Sequence, residues 1–327
     1  MRSSNIFDPL IIRSHTIPNR IVISPMCQYS AIDGNITDWH IGHYLQMAIS
    51  GAGMIVLEST SVSKEGRITL GDIGLYSEKN ESNLRRLILA CKEHSNVPIA
   101  IQLSHAGRKG SISYPWMNSE PPSDKQNGWV TYAPSGIPRT KSSNVPLELS
   151  VQQINSIKTD FIKSAIRADK AGLDCVELHI AHGYLLHQFF SPISNKRVDE
   201  YGGSLKKRMR IIIEIAEGIK KVWPTNKLIG ARVTAQDWLE NGLSIEDCIQ
   251  LVKELKNIGV DYVCVSSGGI LPITNLKSGP NFQAGYAMEV KKKTGIITRA
   301  VGQIRNYKDA QSIIESGDSD LVAIGRG

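Results

Sequence analysis

The sequence predicts a (β/α)₈ barrel, and three observations carry the prediction. Eight short, nearly continuous apolar runs recur along the chain, the pattern of strands buried on both faces. Amphipathic stretches separate them, and strands alternating with helices build a closed or doubly covered parallel sheet. The 327 residues exceed an average domain but suit one barrel of this kind, which alone uses roughly 250, so residues 1–327 read as a single domain.

The strands are expected at 20–26 (RIVISPM), 53–59 (GMIVLES), 98–104 (PIAIQLS) and 174–180 (DCVELHI). Four more follow at 227–233 (KLIGARV), 260–267 (VDYVCVSS), 296–301 (IITRAV) and 320–325 (DLVAIG). Helical periodicity is clearest at 82–94, 154–172, 204–223 and 244–259, with Ser or Asn near their starts and Gly172 and Gly259 closing two of them. Two features depart from the bare repeat. A Pro/Ser/Gly/Trp-rich stretch at 107–149 is too long for an ordinary βα loop and reads as a lid or capping insertion on the active face. The helix that should follow the eighth strand is missing from this chain, so either the chain is a fragment or another element covers the barrel there.

Composition narrows the function. With 41% hydrophobic and 21% charged residues, the chain has material for a core and a solvated surface, which excludes disorder, collagen and coiled coil. The net charge of +7 is scattered rather than gathered into an aromatic-laced patch, so no nucleic-acid partner is expected. No stretch approaches the roughly 18 uncharged apolar residues of a membrane span, and no apolar signal core opens the chain. A cytoplasmic protein with no membrane partner is expected. Five cysteines without a CxxC pair argue for reduced thiols and against a metal centre.

In a barrel, the C-terminal ends of the strands converge on ligand, so polar residues there matter most. Arg232 shares a strand face with Gly230, which leaves room beside the guanidinium for something planar and electron-rich; the alternative is an ion pair with Glu58 or Glu177. His179 and His182 are three apart and meet only if the strand breaks into a helical turn, as Gly183 permits. They suit neutral donation to a substrate oxygen, metal ligation or a purely structural pair. Small residues in AVGQI and AIGRG expose backbone N–H groups after strands seven and eight, where Arg326 adds a charge, and suggest a phosphate site. GAGMIV at 51–56 precedes a strand and is not a dinucleotide fingerprint. For Cys27, a buried inert thiol is the commoner reading.

Taken together, NRIVISPMCQYSA (19–31), IQLSHAGRKG (101–110), ELHIAHGYLLHQFFSPISNKRVDEYGGSLKKRMR (177–210) and the closing AIGR resemble the old yellow enzyme family of flavin-dependent ene-reductases. The likeness covers essentially the whole chain and is nearest to the thiol-containing group with NADPH dehydrogenase and xenobiotic reductase. It implies bound FMN contacted by Pro25, Met26, Cys27, Ser59, Gln102, Arg232, Gly302, Gly325 and Arg326, with NADPH as electron donor. It implies that His179 and His182 hold the carbonyl oxygen of an α,β-unsaturated substrate, that Tyr29 lines the pocket and that Tyr184 delivers a proton. Reduction of enones or similar activated alkenes by ping-pong kinetics, in a homo-oligomer, follows from the same resemblance. The segment 111–140 is longer than the compact form of this loop, and position 59 is Ser where related enzymes often have a small apolar residue. The rival expectations are a flavin barrel with little turnover for want of its last helix, and a metal-dependent hydrolase or lyase using His179 and His182.

Overall fold

The computed structural model describes residues 4–117, 128–272 and 278–325. Eight parallel strands close into a barrel in chain order. They are β1 (Ile21–Ile23), β2 (Met54–Ser61), β3 (Ile99–Ser104), β4 (Cys175–Ile180), β5 (Leu228–Thr234), β6 (Tyr262–Ser266), β7 (Ile297–Ala300) and β8 (Leu321–Ile324). The ring closes where Val322 to Ile324 of β8 pair with Ile21 to Ile23 of β1. Every residue of β2 to β6 is buried, which is why those runs are apolar without alternation.

Between successive strands lie α1 (Asp38–Ala48), α2 (Glu78–His94), α3 (Val151–Ala171), a short α4 (Leu185–Phe190), α5 (Leu205–Val222), α6 (Ile245–Ile258), α7 (Ala284–Thr294) and α8 (Tyr307–Glu315). Capping sets their limits. The Ser77 side chain accepts from Asn80 N, so α2 begins four residues before the start read at 82. Ser150 and Ser244 form capping boxes, and Gly172 (φ 94°) and Gly259 (φ 102°) end α3 and α6 in the left-handed region.

Two additions position the site. An antiparallel hairpin, Leu10–Ile12 with Ile17 opposite Leu10, packs Ile12 and Ile17 against the first residues of the strands and plugs the N-terminal end of the barrel. The open mouth is therefore the C-terminal one. The excursion after β3 is pinned there, because Trp129 N donates to Ser111 Oγ at 2.8 Å and Tyr132–Ala133 pairs in parallel with Leu147–Glu148.

Candidate active site

Arg232 lies next to His179 across the β4–β5 pair and next to Cys264 across β5–β6. It lines a cavity of about 780 Å³ together with Pro25, Met26, Gly302, Arg305 and Gly325, so the loops after β1, β7 and β8 meet the end of β5 there. Backbone conformation demands glycine at Gly302, and a side chain at Gly325 would make Met26 shift. A Cβ on Gly325 would lie 2.9 Å from Met26 Sδ, and Gly302 holds φ 118° with Gln283 Nε2 2.8 Å from where its Cβ would stand. Arg326 falls outside the described residues.

The alternative, an ion pair of Arg232 with Glu58 or Glu177, does not form. Glu177 is taken by Arg299 Nη2 at 2.6 Å and by the Tyr262 hydroxyl at 2.9 Å, and Glu58 by His40 and Tyr44. Arg232 Nε is buried and has no hydrogen-bond partner. The room expected beside Gly230 is also absent, because the Tyr262 ring fills it and a Cβ there would collide with Tyr262 Cζ. Space for a ligand lies instead above the strand end.

His179, His182 and Tyr184 come together. The imidazole centroids are 5.1 Å apart, edge to face, and the Tyr184 ring is 4.9 Å from His179. No helical turn brings them there: His182 (φ 58°) and Gly183 (φ 74°) are consecutive left-handed residues that fold the chain back after β4. A Cβ on Gly183 would strike the backbone of Gly269, so the β4 and β6 loops touch main chain to main chain. Burial, then the charges of Arg232 and Lys109, hold His179 well below the usual imidazole range; burial, Arg232 and His179 do the same to His182. Both rings are neutral at neutral pH. His179 Nδ1 is buried without a partner, and His182 Nε2 lies 2.8 Å from Ser266 Oγ. Burial, followed by Cys27 and Tyr29, pushes the Tyr184 phenol well up, so it keeps its proton.

Cys27, Tyr29 and Ser59 lie together at the ends of the first two strands, and none of them is among the residues that line the cavity. The Cys27 thiol, pushed well up by burial and then by Asp72 and Glu58, interacts with the Tyr29 side chain and the Ser59 backbone, and is a protonated thiol rather than a nucleophile. Tyr29 stands edge-on to Trp116, 6.2 Å between centroids, and Trp116 stacks on Tyr114. Gln102 is buried in β3, and its Nε2 donates to Glu177 Oε1 at 2.8 Å, so part of its side chain is already engaged within the barrel.

Several participants escaped the sequence reading, Ser266 at the end of the sixth strand run excepted. His187 is buried, accepts from Gly183 N at 2.8 Å and pairs with Asp237 at 2.8 Å, fixing the turn that carries His182. Ser266 connects His182 to Gln283, whose Oε1 also accepts from Ser267. Lys109 Nζ donates to the His182 carbonyl at 2.8 Å. Among the others, only Lys109 carried a local cue, a cation inside IQLSHAGRKG. Among the described residues no group of three His, Cys, Asp or Glu is gathered to hold a metal ion, so His179 and His182 lack a third ligand. Among the same residues no helix is long and apolar enough to cross a membrane.

The comparisons with known proteins agree with one another. Residues 5–327 match the model of the NADH:flavin oxidoreductase / NADH oxidase family. An NADH:flavin oxidoreductase of Gibberella zeae is 41% identical over 99% of this chain and 82% of its own length. The NADPH dehydrogenase of Bacillus subtilis is 38% identical over 98% of this chain and 90% of its own. Among solved structures, the old yellow enzyme homologue from Zymomonas mobilis and morphinone reductase each superpose with a TM-score of 0.83 at 24% identity. Each covers 99% of this chain, which accounts for 89% and 86% of theirs, and the likeness shows the shared barrel. The chain therefore belongs to the NADH:flavin oxidoreductase / NADH oxidase family, the flavin-dependent oxidoreductases of the old yellow enzyme type.

Proposed function

We propose that the protein is an FMN-dependent ene-reductase that takes electrons from NADPH and reduces the C=C bond of enones and similar activated alkenes. One observation carries the reading: two neutral imidazoles and a protonated tyrosine converge, His179 being the strand neighbour of a buried, unpaired arginine that lines a cavity. The residues suit FMN. Arg232 has an unpartnered buried N–H, Gly302 and Gly325 leave backbone exposed to the cavity, and Arg305 adds a cation at the same wall. Pro25, Met26, Cys27 and Ser59 would complete the cradle, with Gln102 and Arg326 in the places the resemblance gives them. When bound, FMN supplies two-electron transfer from NADPH to the β-carbon of the alkene in two separate half-reactions, which makes the kinetics ping-pong.

The chain's own residues do the rest. His179 and His182 donate N–H groups to the carbonyl oxygen and draw electron density from the β-carbon. For His182 this requires the Nδ1–H tautomer, with the single Ser266 hydroxyl proton turned from Gln283 Oε1 to His182 Nε2. Tyr184 gives its proton to the α-carbon as general acid, and Tyr29 shapes the pocket opposite. The Arg232 charge favours the more negative, reduced cofactor. The described parts of the 107–149 insertion, 107–117 and 128–149, act as a lid on this mouth within a single domain, while 118–127 lie outside the described residues. Cytoplasmic location accords with five free cysteines, and homo-oligomerisation follows the family.

The test is the visible spectrum of the purified protein under anaerobic conditions. A yellow protein bleached by NADPH and recoloured by an enone supports the reading; a reduced flavin that no enone reoxidises refutes it. Tyr184→Phe should slow the recolouring by about 100-fold and leave the bleaching unchanged.

A further inference from the structure

Three cations stand together where the excursion after β3 passes over the His179–His182–Tyr184 cluster. Lys109 Nζ donates to the His182 carbonyl at 2.8 Å and lies 4.8 Å from the Tyr184 ring centroid. Arg108, itself only 4% exposed, reaches Ile137 O at 3.0 Å and Pro138 O at 3.5 Å through Nη1 and Ile270 O at 3.0 Å through Nη2; its Nε has no partner. Pro138 is followed by Arg139, whose Nε is also buried and unpartnered. Among the described residues none of the three has a carboxylate within ion-pair distance. Asp237, the acid whose field reaches Arg108, is saturated by His187, Ser191 and Leu243 N.

Gathering like charges away from water without a counter-charge is costly. The cost registers on Lys109, whose ammonium is pushed down to about 7 by burial, then by Arg139 and Arg108. Among the described residues no acid neutralises the cluster beside the substrate donors, which leaves that part to an anionic ligand. We propose that Lys109 and Arg139, braced by Arg108, form an anion subsite that receives a carboxylate or phosphate carried by the molecule lying against His179 and His182. The subsite selects ligands that carry an anionic group, supplied by the substrate's own carboxylate or by the 2′-phosphate that distinguishes NADPH from NADH. This rests on the reading of the barrel mouth as the substrate site.

The experiment is calorimetric titration of the flavin-loaded protein with benzoate and with benzamide, probes of one shape that differ in charge. Wild type should bind benzoate on the order of tenfold more tightly, and Lys109→Gln and Arg139→Gln should each remove most of that preference while Arg139→Lys retains it. In a second arm, the Kd ratio of NADPH to NADH is measured on the same variants with their flavin already reduced, so that no hydride passes. Loss of NADPH preference together with benzoate preference assigns the subsite to the cofactor's phosphate; loss of benzoate preference alone assigns it to a substrate carboxylate. The proposal is overturned if wild type distinguishes neither pair, or if its preferences survive both Gln variants. No turnover enters these measurements, so failure of the ene-reductase reading would show separately, as a reduced flavin that enones leave bleached.

Discussion

Arg299 and Arg232 are both buried arginines in apolar strands, and both sit one strand away from Cys264, in β7 and β5. Their surroundings differ. Arg299 has its charge set against Glu177 at 2.6 Å and its guanidinium 5.3 Å from the Tyr262 ring centroid, and the trio is fully buried in the barrel. Arg232 has no carboxylate within ion-pair distance among the described residues, and it borders the cavity. A buried cation that the chain neutralises is part of the framework; one that the chain leaves open at a strand end is an invitation to a ligand.

The sharpest way to break this contrast is Glu177→Gln, which strips Arg299 of its counter-charge without changing shape. Unfolding in urea should then require about 3–5 kcal/mol less. Gly230→Ala probes the ring that separates the two arginines. Its Cβ meets Tyr262, and the repacking should cost about 1–3 kcal/mol in the same measurement. Arg232→Gln should behave in the opposite manner to the Glu177 variant. The apoprotein should be as stable as wild type or more so, because an unpaired buried charge is gone, while flavin retention on dialysis weakens by about tenfold. Destabilisation of the apoprotein would mean that Arg232 is structural after all.

The smallest effect concerns Lys109. Its folded pKa of about 7 lies below the ordinary 10.5, so between those values the folded chain holds fewer protons than the unfolded one. Stability contributed by this group therefore rises with pH across that window. Lys109→Met should remove that rise, and unfolding curves at pH 7, 8 and 9 for the two proteins would reveal the difference in slope; parallel slopes would place the ammonium in ordinary solvent.

The barrel was legible because strands buried on both faces cannot hide their composition, and eight such runs leave little choice of topology. The N-terminal hairpin was not, since its strands LII and HTI are too short to show a period. Arg232 announced itself as a charge in an apolar run. Arg299 and Glu177 gave the same signal, yet which arginine Glu177 faces depends on the stagger between strands, which no local pattern encodes; it faces Arg299. The His179–His182 pair was visible as a spacing, but the left-handed backbone at His182 that makes the pair converge is imposed by His187 and Asp237, fifty residues apart. Ser266 was legible as a polar residue at the end of the sixth strand run, whereas Asp237 reaches the site only because the barrel closes, so tertiary contact alone reveals it.

The bond from Trp129 N to Ser111 Oγ gives the excursion after β3 a pinned neck, and the parallel pair of Tyr132–Ala133 with Leu147–Glu148 pins a second one directly after it. Chain inserted or removed between such fixed points leaves the strands unaware of the change, and doubling its length adds only about 0.6 kcal/mol of closure entropy. The barrel and its hydrogen-bond donors can thus be inherited unaltered while the material above them is rewritten. New appetites for bulky or charged molecules would arise by lengthening one tethered loop, with the reacting groups held in place beneath it.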